Sequence, residues 1–289
     1  MSAMRRLRRI SLTSILLLVA LACADIHAQE MTWETSHEAG RRALERGDYA
    51  EAETQLKAAL KEASAFSLRD QRLTETLDDL ASVYRAAGRF DEAETLYRRT
   101  LSITEAALGP EHANTAASLN NLALLLYTRG RYAEVAALLK RALSISEKEL
   151  GPEHADLAPR LTNLAQVYRI QRNYAEAEPL LLRALEIREK ALGAEHEGIS
   201  VALDNLAAIY NAQKNYTAAA PLLKRSLAIK TRALGPEHLQ VALGLENYAD
   251  VLQRLKRYAE ATELRARART IWTKAMKKSK TTPAPATGA

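Results

Sequence analysis

Four of the six histidines in this 289-residue chain recur at a fixed interval, as His112, His154, His196 and His238. Histidine can ligate a metal, carry a proton or accept a hydrogen bond at a helix end. Each of the four closes the same pentapeptide, Leu-Gly-Pro-Glu-His, with Ala in place of Pro in the third copy. They therefore occupy one position of a repeated unit, and packed helices keep successive units roughly 8–10 Å apart. Zinc needs ligands within about 2.3 Å of a single ion. A shared metal site is excluded on that ground, leaving a connector residue that caps or packs beside helix ends. His27 and His37 stand alone.

Other catalytic arrangements are also missing. The chain has no Ser/His/acid or Cys/His set, no H-E-x-x-H zinc motif, no P-loop and no G-x-G-x-x-G turn. His196-Glu197 lacks the second histidine, and the single cysteine, Cys23, lies near the N-terminus. Glu92, Glu94, Glu176 and Glu178 fall where helices should start, where carboxylates complement the helix dipole. No enzyme activity, metal or cofactor is expected.

Two further periodic sets carry polar groups. Asn121, Asn163, Asn205 and Asn247 each precede a Leu-Ala or Tyr-Ala pair. Eight of the 11 tyrosines fall at two positions of the unit: Tyr49, Tyr132, Tyr174, Tyr216 and Tyr258 at one, Tyr84, Tyr168 and Tyr210 at the other. Tyrosines flanked by Ala and Leu suit a core that bonds the hydroxyl at its edge better than a base-stacking surface.

These residues must be positioned by helices. Leu119, Leu122, Ala123 and Leu126, then Val135, Leu138, Leu139, Ala142 and Leu143, follow the spacing of one buried helical face. Gly130 between the two runs permits a tight turn with positive φ. The Leu-Gly-Pro element ends the second helix, and Asn114 and Asp156 are the expected N-caps of the helices that follow. Pro179 and Pro221 are expected in the first turn of their helices, where an amide hydrogen is dispensable. No stretch alternates with the period of a strand, so the fold class is all-α.

The helix–turn–helix unit resembles the tetratricopeptide repeat (TPR), through Leu119, Leu122, Ala123, Gly130, Tyr132, Val135, Leu139 and Ala142. Its 42-residue period and Leu-Gly-Pro-Glu-His connector resemble the kinesin-light-chain form. The resemblance covers residues 33–276 as six units, starting near Trp33, Thr74, Ala116, Ala158, Ser200 and Ala242. It implies a right-handed superhelical solenoid and a non-catalytic scaffold for protein–protein interaction.

By the same resemblance, Asn121, Asn163, Asn205 and Asn247 line a concave groove and contact the backbone of a bound peptide, unless they bond the neighbouring helix instead. Tyr127, Arg169 and Asn211 would add selectivity. Other groove positions hold Glu75, Asp78, Asp79, Asp204, Glu246 and Asp250 against Arg85, Arg169 and Arg254. Relatives that clamp a terminal carboxylate carry Lys where Ala117, Pro159, Val201 and Leu243 stand here. An extended, neutral or basic partner segment is therefore expected. The alternative is a structural or assembly subunit of an envelope complex, using convex or edge surfaces.

The formal charge of +6 and pI near 9.3 raise nucleic acid as a partner. Residues 1–28, with four Arg and one Asp, contribute +3, and residues 274–289, with four Lys, contribute +4. The body between them is left at −1, so no nucleic-acid partner is expected. Arg5, Arg6, Arg8 and Arg9 followed by an apolar run to Ala22 make residues 1–28 a signal peptide. Cleavage falls near residue 22, 24 or 28, and export to the periplasm or medium follows. Val19-Ala20-Leu21-Ala22-Cys23 also resembles a relaxed bacterial lipobox, which would lipidate Cys23 and anchor the chain to a membrane. Residues 279–289 should form a disordered Thr/Pro/Ala tail.

Overall fold

A computed structural model describes residues 32–67 and 70–281. Among them every regular element is an α-helix and no strand occurs. The chain divides into two compact units, Met1–Gly130 and Arg131–Ala289. The first contains α1 (32–45), α2 (Tyr49–Ala63), α3 (Gln71–Ala86), α4 (Phe90–Leu108) and α5 (Ala113–Thr128). The second contains α6 (Tyr132–Leu150), α7 (Leu157–Ile170), α8 (Tyr174–Leu192), α9 (Glu197–Ala212), α10 (Tyr216–Leu234), α11 (Leu239–Arg254) and α12 (Tyr258–Thr281). Odd-numbered helices open a repeat and even-numbered ones close it.

Within the first unit, α3 lies against α2 and α4, and α4 against α5. Ala63, Leu73 and Leu77 are buried there under Trp33, Phe66, Leu96 and Ile103. On α5, Leu119, Leu122, Ala123 and Leu126 are all buried, as their spacing requires. In the second unit each helix from α6 to α11 packs on its successor. One core cluster draws Ala165 from α7, Leu181 from α8, Leu203 from α9 and Ile229 from α10. Within each unit, interior helices thus bury one face against their own repeat and another against the next, as stacked repeats require.

The turn inside five of the repeats, all but the third, is a Schellman closure. In the fourth repeat the Asn173 amide donates to the Tyr168 carbonyl at 2.8 Å and the Arg172 amide to Arg169 at 3.0 Å. This geometry needs a left-handed residue, which Gly47 and Gly88 supply in the first two repeats, and Gly130 is left-handed in the third as well. The last three use Arg172, Lys214 and Lys256, at φ of 58°, 60° and 63°. Gly130 holds the positive φ expected of it, and in the last three repeats long basic side chains take the same conformation at a steric cost.

The periodic pentapeptide has a function at almost every residue. Gly151, Gly193 and Gly235 leave their helices at φ of 85–87° and ψ of 148–156°, a region essentially closed to side chains. The glutamate reaches the closing helix of the next repeat: Glu153 pairs with Lys190 at 2.9 Å, Glu195 with Arg232 at 2.6 Å, and Glu237 with Lys274. The histidine is the cap. Nδ1 of His112, His154, His196 and His238 accepts the amide hydrogen two residues on, at 3.1–3.2 Å. This corrects the first of the expected caps. Asn114 lies inside α5, which His112 caps, whereas Asp156 does hold the N-cap position of α7 but makes no side-chain cap bond.

The prolines also stand elsewhere than expected. Pro179 and Pro221 are the sixth residues of α8 and α10, beyond the first turn. Each removes a donor that an interior carbonyl would otherwise receive. Both helices nonetheless continue to the same length as α4 and α6.

Residues 1–31 and 282–289, and with them the leader, Cys23 and most of the tail, lie outside the described residues. The backbone of α12 runs to Thr281, into the segment expected to begin the tail. No described helix is long and apolar enough to cross a membrane.

Candidate functional site

The candidate site in the second unit is the exposed face of α7, α9 and α11. Three rows run across it at the 42-residue interval. Pro159, Val201 and Leu243 make an apolar row, with Val201 53% and Leu243 45% exposed. Asn163, Asn205 and Asn247 make the amide row, and Arg169 and Asn211 stand exposed towards the helix ends. The apolar stripe on the opposite side of each helix forces these residues outward.

The four asparagines divide between the two roles expected for them. Asn121 Nδ2 donates to Asp78 Oδ2 across to α3 at 2.9 Å, and Asn205 Oδ1 accepts from Gln166 Nε2 on α7 at 2.8 Å. Both hold neighbouring repeats together. Asn163 and Asn247 are exposed and make no side-chain hydrogen bond among the described residues. Their amides remain available to a partner. Arg169 Nε donates to Gln166 Oε1 at 2.8 Å, so it is tied to the same network. Tyr127 is 39% exposed on α5 of the first unit, beside Leu124 at 52%.

The expected acidic lining is largely consumed inside the fold. Asp204 is paired with Lys230 on α10, Asp250 with Arg265 on α12 at 2.7 Å, and Asp79 lies 2.9 Å from His37. Glu246 Oε1 accepts from Trp272 Nε1 at 3.1 Å. Asp78 is largely buried with Oδ1 unpartnered, and burial pushes its carboxyl up to about 6 against the pull of its hydrogen bonds. Of the six acids, Glu75 alone is exposed and unpaired among the described residues. The reason is geometric: Asp204, Glu246 and Asp250 face the closing helix of their own repeat, and Asp78 and Asp79 face the opening helices of neighbouring repeats, whose side chains the sequence period does not reveal.

The tyrosine sets separate as well. Tyr84 is buried, and its hydroxyl donates to Glu53 Oε1 at 3.0 Å; Tyr210 donates to Glu178 at 2.9 Å. Burial raises both phenol pKa values, and the facing carboxylate raises them further. The other set is mixed: Tyr174 and Tyr216 are partly buried against the core, whereas its two ends are not. Tyr49 and Tyr258 are 39% and 59% exposed, because the first residue of a closing helix sits at the rim of the turn. His37 was not legible as a structural residue, yet it is buried and stacks on Trp33 with ring centroids 4.7 Å apart.

No three His, Cys, Asp or Glu side chains converge on a metal-sized site among the described residues. What the rows offer is a surface: apolar side chains beside the exposed amides of Asn163 and Asn247.

Comparison with known proteins identifies the architecture. The tetratricopeptide repeat family matches residues 72–148, 129–190, 156–232 and 199–274. The chain belongs to the tetratricopeptide repeat family. TPR-like repeats described as a kinesin light chain from Podosopora anserina superpose with a TM-score of 0.64 at 28% identity, covering 73% of this chain and 98% of that one. BtubC (BKLC) from P. vanneervenii gives 0.64 at 22%, covering 91% and 96%. A tetratricopeptide repeat protein from Parabacteroides merdae gives 0.60 at 22%, covering 84% and 80%. No curated protein matches the chain. TPR chains serve as protein-interaction scaffolds, and this one has the repeat structure of that class.

Proposed function

We propose that the protein is an exported TPR scaffold that binds an extended segment of a protein partner along the face of α7, α9 and α11. The observation that carries this reading is the pair Asn163 and Asn247, exposed and unbonded beside the apolar row of Pro159, Val201 and Leu243. A side-chain amide offers one acceptor and two donors, which suits the backbone of an extended chain. The neighbouring apolar row supplies the contact area. Such a site positions a partner and catalyses nothing.

Export rests on the arginine-rich, apolar leader, with cleavage near residue 22, 24 or 28 and a periplasmic or secreted product. Lipidation at Cys23 is the second reading, favoured by the small-residue run before it, and it would make the chain an envelope-complex subunit anchored at a membrane. The test of the binding reading is calorimetry of the mature chain with segments recovered by peptide display. Asn163→Ala and Asn247→Ala should each weaken binding by about three- to tenfold, as expected for one lost hydrogen bond. Unchanged affinity in both would defeat it.

A further inference from the structure

In the last two repeats the closing helix sends a side chain at the same register position to an acid on its opening helix. Lys230 on α10 pairs with Asp204 on α9. Trp272 on α12, one period later, donates to Glu246 on α11 at 3.1 Å. One period earlier the donor is Arg188 on α8, and the acid is replaced by Thr162 on α7. Thr162 turns its hydroxyl to the Ala158 carbonyl of its own helix, at 2.8 Å. Arg188 is half-buried and donates through Nη1 to the Gly198 carbonyl at 3.3 Å. It makes no ion pair among the described residues.

The space over Arg188 is open and otherwise apolar. A pocket of about 420 Å³ is lined by Ala155, Arg188, Ala191, Leu192, Gly198 and Val201. Leu192 and Val201 are 47% and 53% exposed at its rim. A half-buried guanidinium beside apolar walls is poorly compensated, and its planar fork suits a carboxylate. The two repeats that follow supply that carboxylate from within; this repeat does not.

We infer that Arg188 is a specificity site for an acidic side chain, Asp or Glu, in the partner segment, with apolar neighbours resting on Leu192 and Val201. The inference rests on the groove reading above. It also reverses the neutral or basic partner expected from the sequence, since the acids behind that expectation are paired internally. A side-chain carboxylate is favoured over a chain terminus because a segment that reaches both Val201 and Leu243 passes the pocket and continues.

The test is selection of short random peptides, blocked at both ends, on the full mature chain. The bound segments are then measured against four variants. The expected result is an Asp or Glu at one register among apolar residues, with its replacement by Asn or Gln weakening binding about tenfold or more. Arg188→Gln should lose the acid preference. Thr162→Asp should restore the internal pair, raise the melting temperature and also lose the preference; Thr162→Glu serves if the aspartate variant fails to fold. Segments that show no acid preference but still depend on Asn163 and Asn247 overturn the arginine site and leave the groove reading standing. So does tight binding of a segment whose single carboxylate is a free C-terminus. No selected segment, or binding indifferent to Asn163→Ala and Asn247→Ala, overturns both.

Discussion

Asp78 is the residue whose charge is least at ease in the fold. Its carboxyl is buried, with one oxygen bonded to Asn121 and the other unpartnered, and its pKa is raised to about 6 from an ordinary value of 3.8. A raised native pKa means extra stability below the unfolded pKa that is lost as pH rises through 6. Asp78→Asn should therefore stabilise the chain at pH 8, by on the order of 2–3 kcal/mol. The gain should vanish at pH 4, and urea melts at the two pH values read the difference. The histidine caps make a second residue-scale case. His196→Ala should cost about 1 kcal/mol, with most of it restored by His196→Asn, whose carbonyl can accept the Gly198 amide hydrogen. A shift of the urea midpoint in the alanine variant alone is the expected readout. Periodicity marked these histidines as connector residues; that His112 caps in place of Asn114, and that His154 accepts the amide of Asp156 at the N-cap of α7, depends on an imidazole reaching over the helix end.

Helices and turns were the most legible scale. Glycine, apolar spacing and the 42-residue period placed six helix pairs, because each unit repeats the same local rules of burial and termination. The misplacements are informative. Lys214 was invisible as a left-handed residue because a lysine carries no sign of positive φ. Lys214→Gly should raise stability by about 0.5–1 kcal/mol, the relieved steric cost less the added freedom of the unfolded chain. Gly193→Ala, at φ 85° and ψ 148°, should lose about 1–3 kcal/mol. Thermal melts of the two variants should move in opposite directions. Pro179 was placed in a first turn by its distance from Tyr174; one further residue puts it in the helix interior, where its missing donor leaves the Ala175 carbonyl without its usual partner.

Across the whole chain the basic pI belongs to the ends. If the leader is removed near Ala28, the mature chain carries about +3, and its last 16 residues account for more than that. Deleting residues 274–289 from the mature chain should abolish retention on a cation exchanger at neutral pH, while circular dichroism keeps the helical signal of the repeats. Intact mass of the exported chain should show cleavage near residue 22, 24 or 28, or a lipid-sized addition at Cys23. By itself the sequence determined the all-helical class, the repeat and its connector, and the apolar stripe of each helix. Those follow from local spacing, which every copy restates. The tertiary structure alone decided which polar residues are still available. Asp204, Glu246 and Asp250 are partnered by helices lying 15–26 residues away, whereas Asn163 and Asn247 face outward without a partner. Arg188 was left without an acid because one position in one repeat holds threonine. A side chain's availability depends on what packs across from it, and packing across helices is not written in the spacing along one.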